Sequence, residues 1–257
     1  MDLHISMPWR MKIAVDRRTI PGAPAGLHSL KAVFVSDIHL LRGMDPAPIA
    51  DLISGCGADL ILLGGDYSDH RDQALRLFDA FRALKAPLGI FACVGNNDIE
   101  AFDSADALAK ALAVFGAKLL HGNSVSLDVR GTNLLIGGIG EYKYGIPDYP
   151  GIFPEKAENS YRLLLSHYPI LPEAATEDLP DLMLCGHTHG GQFNAFGLNP
   201  YSIGFERIGK EYPPPIMTSG LLRFGSTVVL TSKGIGTSRI PLRIGVRPEV
   251  HILTFSA

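Results

Sequence analysis

The chain of 257 residues reads as an α/β protein of layered sheets and helices, and three observations carry that reading. Short unbroken apolar runs, each bounded by glycine or polar residues, recur along the sequence. Stretches with helical apolar spacing lie between several of them. The last part changes to β-type segments set among Gly- and Pro-rich loops. Strands that alternate with helices imply helices packed on the faces of a sheet.

The runs are KAVFVSD, in which Ala32–Val35 leads to Asp37; DLILLGGD, ending at Asp66; and LGIFACVGNND, ending at Asn96–Asp98. NLLIGGIGE ends near Glu141, YRLLLSH at His167 and DLMLCGH at His187. Apolar runs of about four to six residues suit strands covered on both faces. Of the helices, Asp72–Ala86 places Leu77, Phe78, Phe81 and Leu84 on one face. Ser104–Phe115 forms a second, with Ser104 as N-cap and Gly116 as its stop. Residues 1–30 are expected to be an irregular lead-in, broken by Pro21, Gly22, Pro24 and Gly26, with one short strand around Lys12–Val15. Beyond His189, the prolines at 213–215 exclude helix, and Ile216–Thr218, Thr227–Leu230 and Val250–Phe255 are expected strands. With no internal repeat and no linker, one domain over 1–257 is expected.

Composition narrows the function classes. Apolar residues make up 46% and charged residues 19%, an ordinary globular balance. A net charge of -3 supplies no basic field for nucleic acid, and no Lys/Arg run interleaved with aromatics marks a strand-binding groove. Cys56, Cys93 and Cys185 are far apart in apolar surroundings and read as small buried hydrophobes, not as a disulfide or zinc framework. No run reaches the ~20 apolar residues of a membrane span, and MDLHISMPWRMK lacks a signal-type apolar core. A cytoplasmic location is expected, with peripheral membrane contact left open.

The informative feature is what ends each run. Asp37 and His39 follow the first, Asp66 the second and Asn96 the third; His167 ends the fifth, and His187 with His189 follow the sixth. Ligands in open α/β sheets bind beyond the carboxyl ends of strands, so these side chains should converge. Carboxylate, carboxamide and imidazole without thiolate suit manganese, iron or zinc. Seven donors are too many for one tetrahedral ion but natural for two. Asp-x-His, Gly-Asp and GNND are each weak signals alone, whereas GHTH at 186–189 is sharp.

Taken together, Asp37-x-His39, Gly65-Asp66, Gly95-Asn96, His167 and Gly186-His187-Thr188-His189 resemble the five blocks of the calcineurin-like metallophosphoesterases. The opening TIPGAPAGLHSLKAVFVSDIHL and GHTHGGQ resemble the bacterial YkuE/YaeI-like branch. The resemblance implies a four-layer αββα sandwich with two mixed sheets, and two divalent ions (Mn²⁺, Fe²⁺/Fe³⁺ or Zn²⁺) at the strand ends. It implies Asp37, His39 and His189 on the first ion, Asn96, His167 and His187 on the second, and Asp66 bridging. Asp66, Asn96 and His187 would then position phosphate and an attacking bridging hydroxide.

One departure stands out. The third block commonly carries a His that protonates the leaving group, and here that position is Asn97, followed by Asp98. Asn97 cannot deliver a proton at neutral pH, and Asp98 is expected to orient a neighbour. Hydrolysis of phosphodiester or pyrophosphate bonds is therefore expected over alkyl monoesters. The expected substrates are small phosphodiesters, nucleotide conjugates or lipid-linked phosphates, with nucleic acid disfavoured. A broad-specificity phosphatase, a cyclic nucleotide phosphodiesterase and a non-catalytic metal-binding scaffold stay open. Asp69 and His70, just past Asp66, are candidates for lining the pocket, with solvated loop favoured; Glu141, Tyr142, Lys143, Arg207 and Lys210 are weaker candidates for substrate contact. Phe193, Phe196, Leu198 and Tyr201 are candidates for an apolar lip, with packing slightly favoured. His4, His28, His121 and His251 read as structural or surface.

Overall fold

The computed structural model describes residues 5–8, 12–141, 149, 151–171, 179–195, 198–201 and 217–257. The strands, in chain order, are β1 (Ile5–Ser6), β2 (Ala14–Ile20), β3 (Lys31–Val35), β4 (Leu60–Leu63), β5 (Ile90–Ala92), β6 (Ala117–Leu119) and β7 (Asn123–Val129). They continue as β8 (Thr132–Gly138), β9 (Ser160–Ser166), β10 (Leu182–Cys185), β11 (Gly220–Phe224), β12 (Thr227–Thr231), β13 (Arg243–Ile244) and β14 (Glu249–Phe255). The helices are α1 (Ala47–Gly55), α2 (Arg71–Ala80), α3 (Asn96–Phe102) and α4 (Ala105–Leu112).

Two mixed six-stranded sheets organise these elements. The first runs β2-β14-β3-β4-β5-β6, with β3 to β6 mutually parallel and β14 antiparallel to β3. The second runs β11-β12-β10-β9-β8-β7, parallel from β12 to β8 with antiparallel strands at both edges. The central strands β4 and β10 are buried at every position, which is why they read as unbroken apolar runs.

Because strand side chains alternate, each central strand feeds two apolar layers. Phe34, Leu60 and Leu62 of the first sheet meet Leu163, Leu165, Leu182 and Leu184 of the second in one shared layer. Their neighbours Val33, Val35, Ile61 and Leu63 turn the other way, onto Ile53, Leu77, Phe78, Phe102 and Leu112 from the four helices. On the far face Leu164, Met183 and Val229 lie under Tyr149, Ile152 and Phe153. The result is the α/β arrangement of two mixed sheets with flanking helices that the family resemblance implied. All four α-helices of the described residues pack on the first sheet.

Local agreement with the sequence reading is good where apolar spacing is strong. Leu77, Phe78, Phe81 and Leu84 are all buried, although the α-helix closes at Ala80 and continues as a 3₁₀ turn over Phe81–Ala83. Ser104 caps α4 by accepting the Ala107 N–H at 3.2 Å, and Gly116 ends the following turn at φ 82°. Cys93 and Cys185 are buried, Cys56 is half-buried, and all three are free thiols. Among the described residues no helix is long and apolar enough to cross a membrane.

Several expectations need correction. The lead-in is not irregular throughout: β2 pairs in parallel with β14 over seven residues, well beyond Lys12–Val15. Its AVDRRTI alternates exposed and covered positions as a half-solvated edge strand does. No strand covers Met217–Thr218; pairing starts at Gly220, and Ile216 lies outside the described residues. The prolines at 213–215, Trp9 and His4 also lie outside them. Helices α1 and α3 and strands β6 and β7 were not anticipated. α1 offers only Ile49, Ala50 and Ile53 as buried anchors, too sparse a stripe to stand out.

His251, read as structural or surface, is structural: it is buried between two carboxylates. Its Nδ1 lies 3.1 Å from Asp16 Oδ2, and its Nε2 lies 3.3 Å from Glu249 Oε1, at ion-pair distance without hydrogen-bond alignment. Glu249 also receives Lys233 Nζ at 2.7 Å. Burial opposes ionisation of Glu249, but the His251 and Lys233 cations outweigh it and hold its carboxyl down to about 2. Burial likewise opposes charge on His251, and Asp16 and Glu249 raise it. A carboxyl held below its unfolded pKa stabilises the fold above that pKa, and the stabilisation is lost as pH falls through the folded value. We expect Glu249→Gln to lower unfolding free energy at pH 6 by on the order of 3 kcal/mol. In urea titrations the gap to wild type should close between about 4.5 and about 2. A gap that does not change across that range contradicts the charge assignment.

Candidate metal centre

The parallel strands β3, β4 and β5 of the first sheet and β9, β10 and β12 of the second all end at one edge of the sandwich. Packing the sheets face to face therefore brings loops from both sheets together. Asp37 and His39 come from the loop after β3, Asp66 from that after β4, and Asn96 opens α3 after β5. His167 follows β9, and His187 and His189 follow β10. All seven side chains named from the sequence meet there, each linked to another of the set at 4.0 Å or less.

The donor atoms form two groups around Asp66. Asp66 Oδ2 lies 3.4 Å from His39 Nε2 and 3.3 Å from His167 Nε2. On one side, His189 Nε2 sits 3.6 Å from Asp37 Oδ1. On the other, His187 Nδ1 sits 3.0 Å from Asn96 Oδ1 and 3.3 Å from His167 Nε2. Donors bonded to one ion at roughly 2.0–2.2 Å stand about 3.0–3.6 Å apart, so these spacings suit shared cations. Two carboxylate-histidine trios, Asp37 with His39 and His189, and Asp37 with Asp66 and His167, each gather their donors within 4.8 Å.

Electrostatics argue for the same occupant. Asp37, His39, Asp66 and His167 are all buried, and His39 Nε2 has no hydrogen-bond partner. Burial pushes the Asp37 carboxyl up, whereas His167 and His39 overcome burial and hold Asp66 well below the usual carboxylate range. Conversely, burial works against charge on His39 and His167, but the carboxylates raise His167 and bring His39 to about 10. Protons on these two rings occupy the place that cations would take. Burial and neighbouring cations leave His187 at about 3 and His189 well below the ordinary range, so both imidazoles are neutral donors.

The backbone is bent to deliver these donors. Asp37 (φ 50°), His39 (40°), Asp66 (55°), His187 (66°) and His189 (52°) are all left-handed, a conformation uncommon outside glycine and enriched at functional sites. Two glycines make room: a Cβ on Gly95 would strike the Asp66 backbone and carboxylate, and one on Gly186 would strike Ser36 and Asp37.

A surrounding set of partners holds the donors, and part of it escaped the sequence reading. Asp69, expected in solvent, accepts His39 Nδ1–H at 2.7 Å and so directs Nε2 inward. His167 Nδ1 is fixed at 2.8 Å by the Gly64 carbonyl. The buried guanidinium of Arg243 donates to the carbonyls of His189, Lys233 and Gly236 and approaches His189 Nδ1 at 3.2 Å. The segment after β12 also packs on the site, with Gly236 N–H donating to the Asp37 carbonyl at 2.6 Å. That segment follows an apolar run just as the other site loops do, so the same rule could have found it. Glu141 is buried, while Tyr142, Lys143, Arg207, Lys210 and Phe196 lie outside the described residues. His70 is exposed at the start of α2.

The third block is arranged differently from a general acid site. Asn97 donates its backbone N–H to Asp66 Oδ1 at 2.9 Å and its carboxamide N–H to Oδ2 at 2.8 Å. Asp98 accepts the N–H groups of Asp66 and Gly95 at 2.8 Å each and of Tyr67 at 3.0 Å. Burial and the Asp66 charge nevertheless push Asp98 up to about 7.

An α/β sandwich with buried carboxylate, carboxamide and imidazole donors at its strand ends defines a metal-binding class of site. The model of the calcineurin-like phosphoesterase family matches residues 30–191, and the chain belongs to that family. It is 30% identical over 246 residues to the uncharacterized metallophosphoesterase YkuE of Bacillus subtilis, covering 91% of this chain and 82% of that protein. It is 32% identical over 234 residues to the phosphodiesterase YaeI of Escherichia coli, covering 87% and 81% respectively. A solved structure with a similar path is the phosphopantetheinyl hydrolase PptH of Mycobacterium tuberculosis, at TM-score 0.48 and 11% identity over 86% of this chain and 96% of that one.

Asp98→Ala would strand three buried backbone N–H groups, each costing about 1–3 kcal/mol. We expect a loss of roughly 3 kcal/mol or more in urea unfolding, with weakened metal retention, and a smaller loss for Asp98→Asn. Wild-type stability in Asp98→Ala contradicts the assigned role.

Proposed function

We propose that this chain is a two-metal phosphohydrolase that cleaves phosphodiester or pyrophosphate bonds. Asp37, His39 and His189 hold one divalent ion, Asn96, His167 and His187 the other, and Asp66 lies between them. Their mixed oxygen and nitrogen donors without thiolate fit manganese, iron or zinc. When bound, such ions clamp phosphoryl oxygens and lower the pKa of water toward neutrality.

The observation that carries the bond preference is Asn97 turned inward onto Asp66. Its carboxamide holds the central carboxylate and offers no acidic proton. Asp98, committed to three backbone donors, faces away from that task. General acid help is typically worth about 10² to 10⁴ in rate. Without it, leaving groups that depart as stable anions are favoured: aryl oxides, phosphates and nucleoside phosphates. The resemblance to YaeI, described as a phosphodiesterase, agrees with this reading.

Within that class we favour a nucleotide-conjugated or lipid-linked phosphate as substrate, met in the cytoplasm or by peripheral membrane contact. Leu198, 63% exposed close to the GHTHGGQ segment, supports an apolar lip; Phe193 is half-buried beside Ile244. A non-catalytic scaffold fits less well, because every ligand position carries a competent donor.

With Mn²⁺, bis(p-nitrophenyl) phosphate should turn over faster than p-nitrophenyl phosphate, and Asp66→Ala and His187→Ala should each lose about 100-fold or more. Metal-loaded protein inert toward the diester and toward pyrophosphate bonds contradicts the proposal. Asn97→His should raise turnover of an alkyl phosphodiester by roughly 10- to 100-fold while changing the aryl diester less. Equal effects on both substrates would sink the leaving-group argument.

A further inference from the structure

Outside the ligand set, Arg239 is an exposed, charged side chain that, among the described residues, has no hydrogen-bond or ion-pair partner. Its backbone is left-handed at φ 58°, in a stretch whose earlier residues lie on the metal site. Ile235 N–H donates to the carbonyls of Ser36 and Asp37, and a Cβ on Gly236 would strike the Ile38 carbonyl and press against His39. Arg239 follows three residues after Gly236 in the same loop.

The turn carrying Arg239 is held on both sides by a single buried side chain. Gln192 Oε1 accepts the Ser238 N–H at 2.8 Å, and Gln192 Nε2 donates to the carbonyls of Ser238 at 3.1 Å and Ile240 at 2.9 Å. Gln192 sits three residues beyond His189 and is itself left-handed at φ 54°. One carboxamide thus couples the end of GHTHGGQ to the residues flanking Arg239.

We infer that Arg239 grips a phosphoryl oxygen of the substrate at the rim of the metal centre, and that Gln192 positions the turn that presents it. The inference rests on the phosphohydrolase reading above. A free guanidinium suits the task because its planar fork matches two oxygens of a phosphate or phosphodiester. Strain spent on an exposed arginine makes sense as a device for aiming it. Asn97 carries no charge, and Arg239 supplies a cationic group from the loop after β12. It contributes charge and orientation, with no proton transfer.

The test uses Mn²⁺-loaded full-length protein, with inorganic phosphate as a probe by calorimetry and bis(p-nitrophenyl) phosphate for kinetics. Arg239→Gly suits the left-handed backbone, so it should keep its metal content and melt no lower than wild type. It should nevertheless bind phosphate about tenfold or more weakly and show a higher KM for the diester. Arg239→Lys should recover part of the affinity, since it keeps the charge but not the fork. Gln192→Ala should weaken phosphate binding too, and added to Arg239→Gly it should cost nothing further, as expected for residues acting as one unit. Wild-type phosphate affinity in Arg239→Gly, alongside normal turnover by the wild type, overturns the role of Arg239 and leaves the phosphohydrolase reading standing. A metal-loaded wild type that neither binds phosphate nor turns over the diester overturns both.

Discussion

The rest of the structure is organised around two buried carboxylates, Asp37 and Asp66, that share one pocket with four imidazoles. Burying unpaired charge is expensive, and like charges in contact are worse. Without a compensating cation, protons on His39 and His167 do the balancing, as their raised pKa values record. Divalent ions in that place would balance the same charge and would engage His39 Nε2, which makes no hydrogen bond. The sheets, the left-handed loop residues and the close-packed Gly95 and Gly186 all serve to bring these donors to one point.

The scaffold reaches that point by a simple device. Parallel strands from two sheets end at the same edge, and a shared apolar layer of leucines and Phe34 fixes one sheet against the other. The donors are therefore carried by elements of a rigid interior, although each sits in a loop. Behind them lies a second row of fixed partners: Asp69 on His39, the Gly64 carbonyl on His167, Arg243 under His189, and Asp98 across the turn of Asp66. Lys233 joins this row to the Asp16–His251–Glu249 cluster through its carbonyl on Arg243 and its ammonium on Glu249. The charge network at the start of β14 thus stabilises a loop that also touches the metal site.

The donor set and the central strands were legible in the sequence because both rest on strong local signals. Strands covered on two faces leave unbroken apolar runs, and a functional residue at each strand end is visible as a break in the run. What escaped was set by tertiary contacts. Asp69 looks like a loop residue until the fold places it against His39, and His251 looks solitary until β2 pairs beside β14. β2 itself was hidden by its alternating, half-polar pattern and by the prolines and glycines after it. The loop after β12, which carries Arg239 and leads to Arg243 at the start of β13, follows an ordinary apolar run; only the absence of Asp or His at its start kept it from notice. Asn97 was recognised as a departure, but its grip on Asp66 depends on the close approach of two loops that no local pattern encodes.

The central claim is that cations, and not protons, are the intended occupants of the buried carboxylate–imidazole cluster. The most direct measurement is a calorimetric titration of Mn²⁺ into chelator-stripped protein near pH 7, repeated in buffers of different ionisation enthalpy. The account predicts binding of about two ions per chain with net release of protons, because His39 and His167 must give theirs up to become ligands. Binding without proton release, or no stoichiometric binding, would contradict it.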